Sequence, residues 1–172
     1  MNDIYRACKF LNIFFFLIIF SLSTEIYAMS ILNIGKVCTF SGISGIIQKD
    51  GQPLSNITVT RTTSYQKKKT DKTKTNEEGY FEMPALFERS VMSLLPQEFV
   101  VGQLIVVTVN GEDYVIWDGV KRKKEENSEA RGKPLIVTCD ITDELNAIMV
   151  DGQNFVTKCN WDVVPDKVDT GF

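Results

Sequence analysis

The chain has 172 residues with 19 basic and 22 acidic side chains, a net charge of −3 and no histidine. That balance gives no whole-molecule field for nucleic acid. The missing histidine removes Ser-His and Cys-His nucleophile pairs, histidine metal sites and the commonest general base.

At the N-terminus Arg6 and Lys9 precede an apolar run from Phe10 to Leu22, followed by Ser23-Thr24-Glu25 and Ile26-Tyr27-Ala28. This is the pattern of a secretory signal peptide over residues 1–28, cleaved near Ala28. The run falls short of the roughly 20 residues a membrane-spanning helix needs, so an uncleaved anchor is the weaker alternative. Cys38 follows Ile34-Gly35-Lys36-Val37, whose charge does not suit a lipid-modification site. Cleavage removes two basic and two acidic residues, so the charge stays at −3, and 144 residues remain for one domain. The expected location is periplasmic or secreted. Membrane contact is expected only through an uncleaved leader.

Val37 to Gln48 reads as a glycine-punctuated strand, and Asp50-Gly51 as a turn. In Ile57–Thr63 the residues Ile57, Val59 and Arg61 alternate with threonines, a strand by period and β-branching. Residues 64–78 are polar, with Lys67, Lys68, Lys69, Lys72 and Lys74, and read as a long loop or extended hairpin tip. Asn76 to Gly79 forms a turn into Tyr80–Met83, a strand ended by Pro84. Ala85 to Leu95 fits either a short helix or an irregular crossover.

Leu104–Val109, Asn110-Gly111 and Glu112–Trp117 form a hairpin with the dipeptide that tight primed turns prefer. Lys121 to Arg131 is a second charged loop, and Leu135–Asp140 another strand. Asn146–Val150, Asp151-Gly152 and Asn154–Trp161 close the fold as a hairpin. The sandwich domain is expected over 29–164 and a flexible tail over 165–172. Seven or eight short strands with one short helix at most predict a mainly β fold, a β-sandwich.

Gly45-Ile-Ile, Asp50-Gly51-Gln52-Pro53-Leu54, Ile57-Thr-Val59 and Thr73-Lys-Thr75-Asn76-Glu-Glu-Gly79-Tyr-Phe81 together resemble the carboxypeptidase-regulatory-like, or transthyretin-like, β-sandwich module. Asn76 stands where that module usually has aspartate and can make the same turn contact. The resemblance implies an Ig/transthyretin-like sandwich and says little of function. The whole chain also looks like a family of small exported bacterial proteins that includes candidate immunity partners of interbacterial toxins.

Cys38, Cys139 and Cys159 remain after the leader and its Cys8 are removed, which implies one disulfide and one thiol. Cys139–Cys159 is favoured, with Cys38–Cys159 as the alternative. Three scattered cysteines without histidine make no zinc set, and no metal or cofactor is expected.

Ser64-Tyr65-Gln66-Lys67 is formally S-x-x-K, but no S-D-N or K-T-G accompanies it. Asp140, Asp143 and Glu144 read as a solvated turn rather than an acid pair or calcium site. Asn56-Ile57-Thr58 reads as a chance glycosylation match. These absences point to a non-enzymatic binding protein. Its candidate binding residues are the basic loop residues Lys67, Lys68, Lys69, Lys121 and Arg122 and the aromatic Tyr114 and Trp117, with Trp161 as a further stacking residue; the alternatives are solvated loops for the basic residues and core positions for the aromatics, which stand at alternating strand positions. The expected partner is a protein, such as a toxin neutralised by contact. A glycan or envelope component is the alternative, and nucleic acid is not expected.

Overall fold

The computed structural model describes residues 34–167, so the expected leader with its cleavage point and Cys8, and residues 168–172 of the expected tail, lie outside the described residues. The fold is mainly β and sandwich-like, with thirteen strands among the described residues and only two short 3-10 turns. A five-stranded sheet has the order β13(Cys159–Trp161)-β10(Leu135–Asp140)-β2(Ile43–Lys49)-β3(Gln52–Pro53), with β6(Tyr80–Met83) also on β2. A six-stranded antiparallel sheet has the order β11(Asn146–Val150)-β12(Gln153–Thr157)-β9(Glu112–Lys121)-β8(Val101–Val109)-β4(Thr58–Ser64)-β5(Lys68–Lys74). β1(Lys36–Phe40) and β7(Leu86–Arg89) pair as a separate ribbon.

Alternation assigns the faces. Val59 on β4 and Ile105 and Val107 on β8 point inward, and meet Ile43, Ile47, Phe81, Leu135 and Val137 from the five-stranded sheet in one core. Trp117 lies at its centre, with Phe155 at 4.9 Å and Trp161 at 5.0 Å between ring centroids. Gly119 permits this packing, because a Cβ there would fall 2.4 Å from the Phe155 ring.

The turns follow their residue chemistry. Asp50-Gly51, Asn110-Gly111 and Asp151-Gly152 all take positive φ at both positions, the geometry of a tight primed turn. Asn76 accepts the backbone N–H groups of Glu78 (3.0 Å) and Tyr80 (2.8 Å) through Oδ1, the contact expected of the aspartate it replaces. In the tail, Asp166 accepts the N–H groups of Asp151 (2.9 Å) and Gly152 (2.8 Å) and so caps the last hairpin turn.

Three stretches differ from their sequence expectation. The lysine-rich segment is mostly strand: β5 pairs with β4 along its whole length, and only Tyr65–Lys67 forms the bend. Its register is fixed by Arg61, whose Nε and Nη2 bind Asp71 directly opposite at 3.0 and 2.6 Å, and by a Thr62–Thr70 hydroxyl pair at 3.0 Å. Ala85–Leu95 is neither one helix nor irregular throughout, since it contains β7 and a 3-10 turn at Val91–Leu94. The closing stretch divides at Lys158, with Gln153–Thr157 in the six-stranded sheet and Cys159–Trp161 in the other.

That division places Cys159 opposite Cys139, and the two form a disulfide between β13 and β10 with Cα atoms 4.0 Å apart. Closing a loop of this length contributes about 3 kcal/mol in the chain-entropy account. β10 pairs in parallel with β2, placing Val137 opposite Gly45. A Cβ on Gly45 would sit 1.8 Å from the Val137 carbonyl oxygen, a backbone atom that cannot swing aside. Gly45→Ala is therefore expected to cost more than about 3 kcal/mol or to prevent folding. Urea unfolding checks this, and a loss under about 1 kcal/mol would show that the two strands separate freely.

Candidate binding surface

Glu129 is the residue around which the polar interior is organised. It belongs to a 3-10 turn, Ser128–Ala130, that drops from the charged loop into the sandwich, and both its carboxylate and the Lys121 ammonium are 0% exposed. Its Oε2 accepts from Lys121 Nζ at 2.7 Å and Ser41 Oγ at 2.5 Å; its Oε1 accepts from Gln103 Nε2 at 2.9 Å and the Ser41 N–H at 3.2 Å. Lys121 also donates to Ser128 Oγ at 2.5 Å, and Gln103 accepts from Trp117 Nε1 at 3.3 Å. Trp161 donates its indole N–H to the Glu129 carbonyl at 3.1 Å. Burial alone raises the Glu129 pKa, but Lys121 and the donors from Gln103 and Ser41 hold it below the ordinary value.

Lys121, a candidate for a binding surface, is therefore corrected to a core residue, and Trp117 takes the core position that is the alternative to its binding role. Lys121 is in phase with Gly119 and Trp117 on the inner face of β9, and its charge is matched inside by Glu129. Trp117 is covered by Phe40, Phe155 and Trp161. Trp161 is half-buried, packs on Trp117 and Phe155, and has its indole N–H satisfied. Tyr114 is half-exposed at the opposite end of β9, beside the Asn110-Gly111 turn, with its hydroxyl on Glu112 at 2.7 Å.

The remaining basic candidates share one end of the six-stranded sheet. The register places Ser64 beside Gly102 and Gly102 beside Val120, so the Tyr65–Lys67 bend and Arg122 flank the start of β8. The segment leading into β8 joins them. Gln66 Nε2 donates to Ser90 Oγ at 2.6 Å, Lys69 pairs with Glu88 at 3.2 Å, Tyr65 packs on Phe99 at 5.2 Å, and Arg122 pairs with Glu98. Lys123 is held by Asp151 at 2.7 Å. Lys67 and Lys68 are exposed, and no carboxylate lies within ion-pair distance of either among the described residues. Along β5 the lysines at 68, 72 and 74 continue this row on the sheet's edge, whose far side pairs with no strand among the described residues.

The nucleophile and carboxylate candidates have structural places. Ser64 ends a strand and Lys67 lies in the bend, so no helix sets the lysine one turn behind the serine. Asp143 and Glu144 are exposed, whereas Asp140 is buried and receives the N–H groups of Asp50 (3.2 Å), Gly51 (2.8 Å) and Thr142 (3.0 Å) and the Thr142 hydroxyl (2.5 Å). Burial opposes its ionisation, yet these hydrogen bonds dominate and lower its pKa from 3.8 to about 2. The Cys38 thiol is buried, and its pKa is pushed up to about 11, first by that burial. At neutral pH it is a protonated core group.

Two outcomes follow. Glu129→Gln is expected to cost about 3–5 kcal/mol by leaving the Lys121 charge unpaired, and Lys121→Met a comparable amount. The double variant should lose at least 1 kcal/mol less than the sum of the two; additive losses in urea melts would show that the pair does not act as a unit. For Asp140 the folded pKa lies below the unfolded one, so its stabilisation is present above about pH 4 and is lost as pH falls through about 2. Asp140→Ala should thus be less stable than the parent at pH 7, with the gap narrowing steadily between pH 5 and 2. A pH-independent gap in thermal melts would refute this assignment.

A family model described as Domain of unknown function (DUF6795) matches residues 43–144, from β2 through β10 to the following turn. No curated protein and no solved structure matches the chain. The matched span is more than half the chain and contains Arg61, Gln103, Lys121, Glu129 and the basic end of the sheet. On that match the chain belongs to the DUF6795 family.

Proposed function

We propose that this chain is an exported, non-catalytic binding protein that uses β5 to hold an acidic segment of a protein partner. In its sharper form it is an immunity protein that occludes an interbacterial toxin. The observation that carries this reading is the β5 edge, a seven-residue strand whose outer side pairs with no strand among the described residues and which exposes Lys68, Lys72 and Lys74. Lysines along an edge repel a second like-charged edge. The same row favours an acidic extended segment, which can add backbone hydrogen bonds as a further strand. Arg61–Asp71 beneath β5 keeps the strand in a fixed register, so such a partner meets a preorganised edge.

Export to the periplasm or beyond is supported by the leader in the sequence and by the Cys139–Cys159 disulfide, which persists in oxidising compartments. Among the described residues no helix is long and apolar enough to cross a membrane. Kinship with the carboxypeptidase-regulatory-like module is supported by the positive-φ Asp50-Gly51 turn and the Asn76 side-chain turn. The immunity role rests on the family resemblance together with this edge. The carbohydrate-binding alternative is weakened by the burial of Trp117 and by the packing of Trp161 on Trp117 and Phe155.

Affinity purification of the tagged protein from its native envelope, without reductant, tests the reading. One stoichiometric protein should co-elute, and Lys72→Glu/Lys74→Glu should reduce its recovery at least tenfold without altering the melting temperature. Deleting the gene should sensitise cells to neighbouring kin. Equal recovery by the edge variant removes β5 from the interface, and glycan recovered without protein transfers support to the envelope-binding alternative.

A further inference from the structure

The segment leading into β8, tied to the Tyr65–Lys67 bend by the Gln66–Ser90 bond, exposes large aliphatic side chains. Val91 is 80% exposed, Leu94 58% and Leu95 50%. These side chains project from a segment whose flanks are fixed: Phe99 is buried with Val37 and Val101 against Tyr65, and Ser90 is buried and bonded to Gln66. The Lys69–Glu88 and Arg122–Glu98 pairs hold either side of it. Chain entropy and solvation both oppose fixing three aliphatic side chains in water, so a cluster of this kind marks a contact surface.

From this we infer that this end of the sandwich docks on an anionic phospholipid surface, with Val91, Leu94 and Leu95 entering the boundary between headgroups and acyl chains and Lys67 and Lys68 resting on the phosphates. Composition separates this occupant from a protein. The energetic centres of protein interfaces favour Trp, Tyr and Arg over Leu and Val. Here the nearby Tyr65 is packed on Phe99 and Arg122 is paired with Glu98, so neither supplies a free anchor. Aliphatic side chains bordered by lysine form the combination that binds a bilayer interface, where each part contributes separately. Lys69 is neutralised by Glu88, which leaves Lys67 and Lys68 to face the lipid.

The toxin-binding reading shares Lys68 with this surface but is tested at Lys72 and Lys74, farther along β5, so the two can fail separately. It requires only that the protein meet a membrane.

The test uses protein purified from the exporting cells, its N-terminus read by intact mass, and co-sedimentation with vesicles. The probes are phosphatidylglycerol-containing vesicles and pure phosphatidylcholine vesicles. Binding to the anionic vesicles is expected to fall at least tenfold for Lys67→Ala/Lys68→Ala, and likewise for Leu94→Ser/Leu95→Ser, with circular dichroism and melting temperature unchanged. Raising salt should weaken the parent and the leucine variant but barely affect the lysine variant. In a Val91→Trp variant, the emission difference from the parent should shift to the blue on anionic vesicles and be quenched by brominated acyl chains. Equal binding by all variants would assign membrane affinity to the N-terminal segment and overturn the inference. Absence of binding by the parent, or a solvent-exposed tryptophan at position 91 in vesicle-bound protein, would also overturn it.

Discussion

The buried Glu129–Lys121 pair sets the terms on which the two sheets meet. Lys121 comes from the end of β9 in the six-stranded sheet, and Glu129 returns from the following loop to a place between the sheets. Ser41, just before β2, bonds Glu129 with both its N–H and its hydroxyl, and Gln103 on β8 bonds it from a second direction. The chain entering one sheet, two strands of the other and a crossover loop thus converge on one carboxylate. Removing two charges from water costs several kcal/mol per ion, so the arrangement is tenable only because both oxygens and the ammonium are satisfied.

The same constraint explains the aromatic core. Gln103 bonds Glu129 with its nitrogen, the Thr39 carbonyl with the same group, and the Trp117 indole with its oxygen, so the amide has no freedom to flip. Trp117 is oriented by that bond and Trp161 by the Glu129 carbonyl, and the two rings lie against Phe155 over Gly119. Arg61 extends the network on the far side of Ser41, reaching its carbonyl at 3.5 Å while binding Asp71 and Phe40. Polar satisfaction of the interior and the register of β5 are thereby one problem with one solution.

Much of the fold was legible because it depends on local chemistry. Positive-φ dipeptides marked the hairpin turns, alternation at Ile57, Val59 and Arg61 marked a strand, and Asn76 marked a side-chain turn, all decided within a few residues. The β5 strand was not legible from its own residues: a lysine- and threonine-rich segment has little apolar surface to bury, and its strand character comes from pairing with β4 and from Asp71 meeting Arg61 across the ladder. The buried pair was obscured in another way. Lys121 lies in a run of basic residues that reads as solvated, although its phase with Trp117 and Gly119 placed it on the inner face. An inward lysine demands an acid, and Glu129 is the nearby carboxylate flanked by the small residues Ser128 and Ala130.

That error has a general cause with a consequence for function. Composition places charge at the surface and leaves the aromatics open between core and recognition, whereas the structure uses Lys121, Arg61 and Glu129 internally and buries Trp117 among other rings. What remains outside is a smaller set: Lys67 and Lys68 at a bend, lysines along one edge, and aliphatic side chains on the segment between β7 and β8. These depend on the interior without belonging to it, because the bend follows from the β4–β5 register and the segment is anchored through Tyr65, Phe99 and Ser90. Because the buried charges are satisfied within the interior, side chains on the rim can be exchanged without disturbing them. The charged residues inside the sandwich are thus the means by which its ends, where these exposed side chains lie, are held in place.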